Sequence, residues 1–385
     1  MSKITEFPTL TGTEANDQDY LYLVDVSDTT ENAAGSSKKI SVQDLANYRV
    51  PTAAYLSQGD NLQSYIDSEL ARSNRRGPIV LPQGRITITS TLNLNRLNGV
   101  RIVGQGQPSV DVSVTNTIWD DSDVDESTMI YFNGSADDPV ISMEGISYSI
   151  LEGFGIDRVT KGVGIRYTDQ GPANCSFNSH KHISIFRCTK CIECVDTDDH
   201  ILQADMTFEH VTMSKSDIGL QTNGHQQVNF AFYGLCYWIS TNTAIEVNDG
   251  GNIYIHGCAT NGVTTFIRFT GDSAANSAPC VISGLKIDRT GFSTVTTIVD
   301  CSAEDAKCAI SIDGLGVTKN ASDVFNDNYR FFKINSNYAP YNSFIQVNST
   351  NLRMFASGRN AERVYVYNNS GTELGYIGDG TYNAI

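Results

Sequence analysis

Basic residues are in short supply: 27 Lys and Arg stand against 43 Asp and Glu, a formal charge of −16 at pH 7. A surface that acidic repels phosphate backbones, which excludes nucleic acid as a partner, and it disfavours strongly anionic glycans wherever no local basic patch intervenes. Long apolar runs are missing too. No stretch approaches the roughly eighteen residues a spanning helix needs, so membrane insertion is excluded on the helical route. The first residues, MSKITEFPTL, carry no basic segment followed by an apolar core, and the expectation is a soluble protein that does not use the usual export signal. Cysteine is absent before Cys175 and after Cys308, and the nine within that span are odd in number. That pattern argues for buried, reduced thiols and against a disulfide framework. Proline is sparse at 9 residues while glycine reaches 32, the balance expected of many strands joined by glycine turns.

Forty per cent apolar residues in 385 supports a large ordered core in about one to three domains. The most informative stretch runs from Gly77 to Gly106, GPIVLPQGRITITSTLNLNRLNGVRIVGQG. Its apolar runs, Ile79–Leu81, Ile86–Leu94 with alternating polar residues, and Val100–Val103, are separated by Pro82-Gln83-Gly84, Asn98-Gly99 and Gly104-Gln105-Gly106. Period-2 alternation bounded by such residues predicts strands joined by tight turns. Immediately before it, Leu62, Ile66 and Leu70 recur four residues apart behind Asp60 or Asn61 as a cap, which predicts one amphipathic helix. A short helix followed by this wording resembles the entrance of the pectate-lyase-like right-handed parallel β-helix, a family that recurs in bacteriophage tailspikes and tail fibres. The resemblance implies a mainly β fold: a single-stranded parallel solenoid with a small N-terminal module, an N-terminal capping helix and a C-terminal β-rich cap.

The first fifty residues read as a separate unit, with a strand at Tyr20–Val26, a second at Lys38–Ile40, and Ser41 as the N-cap of a short helix. This segment resembles the N-terminal module of phage tail-fibre and tailspike proteins, which implies attachment to other virion tail or capsid proteins through residues 1–50. Residues 51–76 are then linker and capping helix, and 77–320 the solenoid. From about Val140 apolar alternation with Gly and Asn punctuation repeats. Ile185 matches Val211, and Ile192 matches Ile218, at one shared offset of 26 residues, and Ile218 matches Ile245 at 27. A loose period of about 20 to 30 residues is a solenoid signature, each coil burying its inner face against its neighbours. Residues 321–385 read as a C-terminal β cap, with a hairpin at 364–378 that covers the otherwise open sheet edge. In the resembled family trimers are the rule, so the implied assembly is a homotrimer on the virion, built in the host cytoplasm.

Several constellations offer chemistry. Asp121, Asp123 and Asp125 have calcium-loop spacing, but Glu126 and Phe132 stand where Gly and Glu belong, so the signature fails. Cys188, Cys191 and Cys194 lack the second half of a zinc site and read as core residues; no metal and no cofactor is expected. Under the 26-residue offset Asp199 falls against His225, a carboxylate–imidazole pair able to orient a general base. Asp196, Asp198, Asp199 and Glu209 are the candidates for the two carboxyl groups of a glycosidase. A lyase of this fold would need a base and a neutraliser, and Lys181, Arg187, Lys190 and Lys215 are the nearby cations. Around Asn229–Trp238 aromatics are dense. Tyr233, Tyr237 and Trp238 are the expected glycan contacts if they face outward, and core stacks if they face inward. Three function classes remain open: a glycan-binding adhesin first, a polysaccharide depolymerase second, a purely structural virion part third.

Overall fold

The computed structural model describes side chains for residues 50–71, 77–95, 98–108, 127–168, 174–195, 203–224, 227–271, 280–287, 297–301, 303 and 309–316, and elsewhere strand backbone alone. Strands stack in parallel and in register, so the chain winds as a right-handed β-helix. One face of the coil is a sheet that climbs through Ile141–Glu144, Val163–Thr168, Lys190–Val195, Ile218–Asn223, Thr243–Asp249, Thr265–Phe269 and Thr297–Cys301. The other two faces share a second sheet that turns a corner within each rung. Ile150–Arg158 and Ser179–Phe186 cross that corner unbroken. In the following rungs it divides the strands, as in Gln203–Glu209 and Thr212–Ser214, then Gln227–Tyr233 and Tyr237–Ile239.

The entrance is closed as the sequence predicts. The helix Asn61–Ala71 buries Leu62 and Ile66 against the first coil, with Leu70 packed beside them. Its polar side chains satisfy the exposed sheet edges. The Gln63 amide donates to the carbonyl of Asn93 (3.1 Å) and its oxygen accepts from the Asn93 N–H (2.7 Å), while the Tyr65 hydroxyl donates to the carbonyl of Val80 (3.0 Å). An edge so paired no longer templates another chain. At the other end Phe332–Ile334 pairs in parallel with Arg363–Asn368, which turns antiparallel onto Glu373–Gly378 and then Thr381–Ala384. The expected C-terminal hairpin is therefore present in the backbone, as is an antiparallel pair of Tyr20–Asp25 with Ser36–Ser41. The helix expected after Ser41 lies outside the described residues.

Two expectations are corrected. The run Ile86–Leu94 is two strands, Gly84–Ile88 and Leu92–Asn93, placed in different sheets with a corner at 89–91. The rung register is also not 26. Ile185 lies opposite Met213 and Ile192 opposite Leu220, an offset of 28, and Leu220 lies opposite Ile245 at 25. The slip is two residues each time, which returns the same side chains to the same face; periodicity alone cannot see it.

Inside the coil, side chains of one column sit on one another. His180, Phe208 and Phe232 stack with ring centroids 4.7 and 4.4 Å apart and planes within 14°. His180 is fully enclosed, its Nε2 2.7 Å from the Tyr167 hydroxyl, and burial pushes its pKa down to about 4. Arg158, also buried, donates to the carbonyls of Ser135, Asp138, Thr160 and Val163 and so ties a loop and two strands together, with no salt bridge to a carboxylate among the described residues.

The His180 environment yields a pH prediction. Its folded pKa lies below the unfolded value of about 6.5, so its contribution is complete above that pH and is lost on acidification toward about pH 4. Stability should fall across that window by roughly 3 kcal/mol from this group alone. A His180→Phe variant, followed by chemical denaturation at a series of pH values, should show a flatter profile over the same window. Equal slopes for the two proteins would contradict the assignment.

Candidate functional site

Outward columns on the second sheet make the site. Because strand pairing is in register, Glu152, Lys181, Glu209 and Tyr233 occupy the same position in four successive rungs, each about 4.8 Å above the last. The next column toward the strand starts, two residues earlier, is small at its centre: Ser179, Thr207 and Ala231, with the Thr207 hydroxyl donating to Ser179 Oγ at 2.9 Å. The result is a shallow strip running along the coil axis, with a hydroxyl-lined floor and a charged rim. On that rim Arg101 donates to Glu152 (2.7 Å) and Lys181 to Glu209 (3.1 Å). The Glu209 hydrogen bond holds the Lys181 ammonium above its ordinary pKa.

The rim ends at the corner of the rung, where the backbone must enter the left-handed region. Gly153, His182, His210, Gly234, Gly257, Gly284 and Gly314 follow the rim residues one above another, with φ between 50 and 72°. Glycine is the inexpensive residue there. Histidine at this conformation costs on the order of 1–2 kcal/mol, and two successive rungs carry it. The imidazoles of His182 and His210 stack at 4.7 Å with planes 15° apart. A side chain at Gly234 would begin 2.9 Å from the His210 ring, so the glycine leaves room for the imidazole beneath it. The segment after Gly104 runs across these rungs on the outside. Its Gln107 amide donates to the carbonyls of Ile183 and His210, both at 3.1 Å, and pins the corner.

The residues singled out in the sequence distribute as follows. Glu209 and Tyr233 are adjacent on the rim, both partly exposed. Asp196, Asp198, Asp199 and His225 lie outside the described residues. The strands flanking them pair at offsets of 28 (Cys194 with Thr222) and 24 (Gln203 with Gln227), so the 26-residue offset behind the Asp199–His225 pairing is not that of either flank. The acidic stretch with Asp121, Asp123 and Asp125 is likewise outside. Tyr237 lies beyond the corner on the neighbouring face, partly exposed.

Trp238 is corrected. It is 1% exposed, 5.3 Å from the Phe232 ring and 5.4 Å from Phe266, and cannot meet a glycan from inside the coil. Its parity is that of Phe230, Phe232 and Cys236, all buried, so the in–out alternation runs unbroken through the turn at Gly234 and Leu235 and carries the indole inward. Cys188, Cys191 and Cys194 are all buried, as core residues; the Cys191 thiol donates to Ser216 Oγ (3.1 Å), and burial pushes the Cys188 and Cys194 thiols up. Of the cations considered for lyase chemistry, Arg187 is tied to Asp157 and Lys190 to Glu193. Glu152, an outward strand residue, escaped the sequence reading, as did His182 and His210, since a left-handed corner leaves no mark on hydrophobic periodicity.

No family model and no curated protein matches the chain. Solved structures that align with it include the ORF18 product of Geobacillus virus E2, at 12% identity and TM-score 0.34, over 95% of this chain and 72% of that one. The endo-xylogalacturonan hydrolase of Aspergillus tubingensis aligns at 13% and 0.33, over 78% and 88%. The Dettilon tailspike protein aligns at 11% and 0.36, over 80% and 70%. No functional residue is carried over from any of them.

The placement of the aromatics gives a stability test. Trp238→Ala should cost about 3–5 kcal/mol, as a truncated core aromatic does, whereas Tyr233→Ala should stay within about 1 kcal/mol. Denaturant melts of the two variants check this. A Trp238→Ala protein as stable as the parent would place the indole outside the core.

Proposed function

We propose that this chain is a phage tailspike- or fibre-like tail protein that binds a polysaccharide of the host surface along the axial strip of its β-helix. The observation that carries the reading is the strip itself. Hydroxyl and small side chains repeat along it at rung spacing, and charged and aromatic side chains border it, a surface suited to an extended, hydroxyl-rich chain rather than to a compact ligand. The sequence resemblance supplies the setting. On this reading residues 1–50 attach the protein to other virion tail or capsid proteins, residues 51–76 lead into and cap the coil, 77–320 present the glycan face, and 321–385 close a homotrimer. Glu209 and Tyr233 contact glycan from the rim, and Tyr237 from the neighbouring face.

A depolymerase is the second reading, and one observation favours it. Glu152 and Glu209 sit two rungs apart on one column, their backbones roughly 9.6 Å apart, next to the upper limit of about 9.5 Å for the carboxyl separation of inverting glycosidases. Each is already engaged by a cation, Arg101 and Lys181. That geometry suits holding a ligand better than donating a proton, and so binding ranks first. Asp196, Asp198, Asp199 and His225 belong to this second reading.

Incubation with the host's surface polysaccharide followed by size-exclusion chromatography separates the readings. The expected result is intact glycan co-eluting with the protein, and a severalfold weaker association for Glu209→Gln with an unchanged melting temperature, since an exposed pair is worth about 1 kcal/mol or less. Glycan shortened by the parent and left intact by Glu209→Gln would establish the depolymerase. Glycan eluting alone would contradict both.

A further inference from the structure

One column remains on the far side of the strip. At the start of the same strands, Gly99, Tyr148, Phe177, Asp205 and Asn229 occupy successive rungs, all with left-handed backbone, φ 57–69°. Glycine, aspartate and asparagine are the residues such a position tolerates. Tyrosine and phenylalanine are not, yet here they stand on neighbouring rungs, 64% and 49% exposed, with rings 4.9 Å apart and 8° from parallel. Backbone bonds fix the strained conformation: Tyr148 N–H donates to Ser176 O and Phe177 N–H to Ala204 O, both at 3.1 Å. The two rings make no part of the coil's buried core. They are held outward, at a conformational cost, beside the hydroxyl-lined floor.

We infer that Tyr148 and Phe177 form a stacking platform for a pyranose ring of an uncharged glycan lying parallel to the coil axis. The inference rests on the glycan-binding reading above and names the substrate class and a subsite for it. A sugar ring is amphipathic: its C–H face packs on an aromatic surface while its hydroxyls need donors and acceptors. The platform's own column supplies these one and two rungs on, where Asn229 Nδ2 donates to Asp205 Oδ1 at 3.0 Å and leaves the second carboxylate oxygen for a ligand hydroxyl. Ser179 and Thr207 offer hydroxyls two residues along the strands, about 6.6 Å away. Charge selects against acidic sugars. Asp205, Glu152 and Glu209 border the strip, and its cations Lys181 and Arg101 are spent on the two glutamates. The same carboxylates argue against a second copy of the chain as occupant, because protein interface cores are depleted of charge.

The test uses the full-length protein and a panel of purified bacterial surface polysaccharides, neutral and uronate-bearing, with heparin as an anionic control, read by surface plasmon resonance. A Tyr148→Gly/Phe177→Gly variant relieves the left-handed strain, so it should melt no lower than the parent and bind the neutral polysaccharide at least tenfold more weakly. Tyr148→Asn/Phe177→Asn, which also tolerates that backbone, should behave alike, and Phe177→Trp should keep binding. Parent and double variant binding equally well would overturn the platform and leave the broader reading standing. No binding by the parent to any polysaccharide would overturn both. Equal or tighter binding of heparin would overturn the neutral-glycan assignment. Variants that dissociate in analytical ultracentrifugation while the parent remains a trimer would make the pair a subunit contact instead.

Discussion

Like side chains standing on like, rung after rung, are what the rest of this structure depends on. A parallel coil has no local pairing to fix its register; each strand must find its neighbour a full turn away, and side chains in contact about 4.8 Å apart decide whether it does. Here the decision is made by the enclosed stack of His180, Phe208 and Phe232 and by aliphatic columns such as Ile165, Ile192, Leu220, Ile245 and Ile267. Because strand residues alternate between faces, the internal columns dictate the external ones. Lys181 meets Glu209 on the outside because His180 meets Phe208 within. Exterior strip and core are two readings of one register.

The corners show where that economy ends. A rung can turn sharply only through left-handed backbone, and glycine holds most of those positions on the rim side. Other residues hold such positions too, among them Arg187, Lys215 and Ser240 in one further column; at His182 and His210, and at Tyr148 and Phe177, large side chains in this costly conformation stack on each other on the outside. The two stacks flank the same strip, one beyond its charged rim and one beside its hydroxyl-lined floor, which makes the strip the most elaborated exterior feature among the described residues.

Much of this was legible in the sequence. Leu62, Ile66 and Leu70 announced the capping helix, and the alternation of Gly77–Gly106 announced the entrance, because burial on one face of a regular element writes its period directly into the residues. Phe230 and Phe232 were readable as one face, and both are buried. What failed did so for identifiable reasons. The register was misplaced by two because a shift of two preserves every in–out assignment, and only the identity of stacked partners distinguishes the alternatives. The outward expectation for Trp238 came from the density of aromatics around it; alternation carried on from Phe230 and Phe232 puts it inward, as found. Tyr148 and Phe177 went unnoticed because nothing in a single sequence distinguishes an outward aromatic at a left-handed corner from an inward one in a strand.

Register is therefore the claim to test first, and paired cysteines test it directly. In the structure Lys181 stands opposite Glu209, so Cα atoms about 4.8 Å apart fall within disulfide reach, whereas Thr207, the partner a 26-residue repeat would choose, is displaced along the strand to about 8 Å. Lys181→Cys/Glu209→Cys should form an intramolecular disulfide under mild oxidation, detected by mass spectrometry of the cross-linked peptide, and Lys181→Cys/Thr207→Cys should not. Ready cross-linking of the second pair and none of the first would contradict the register and, with it, the strip of side chains built upon it.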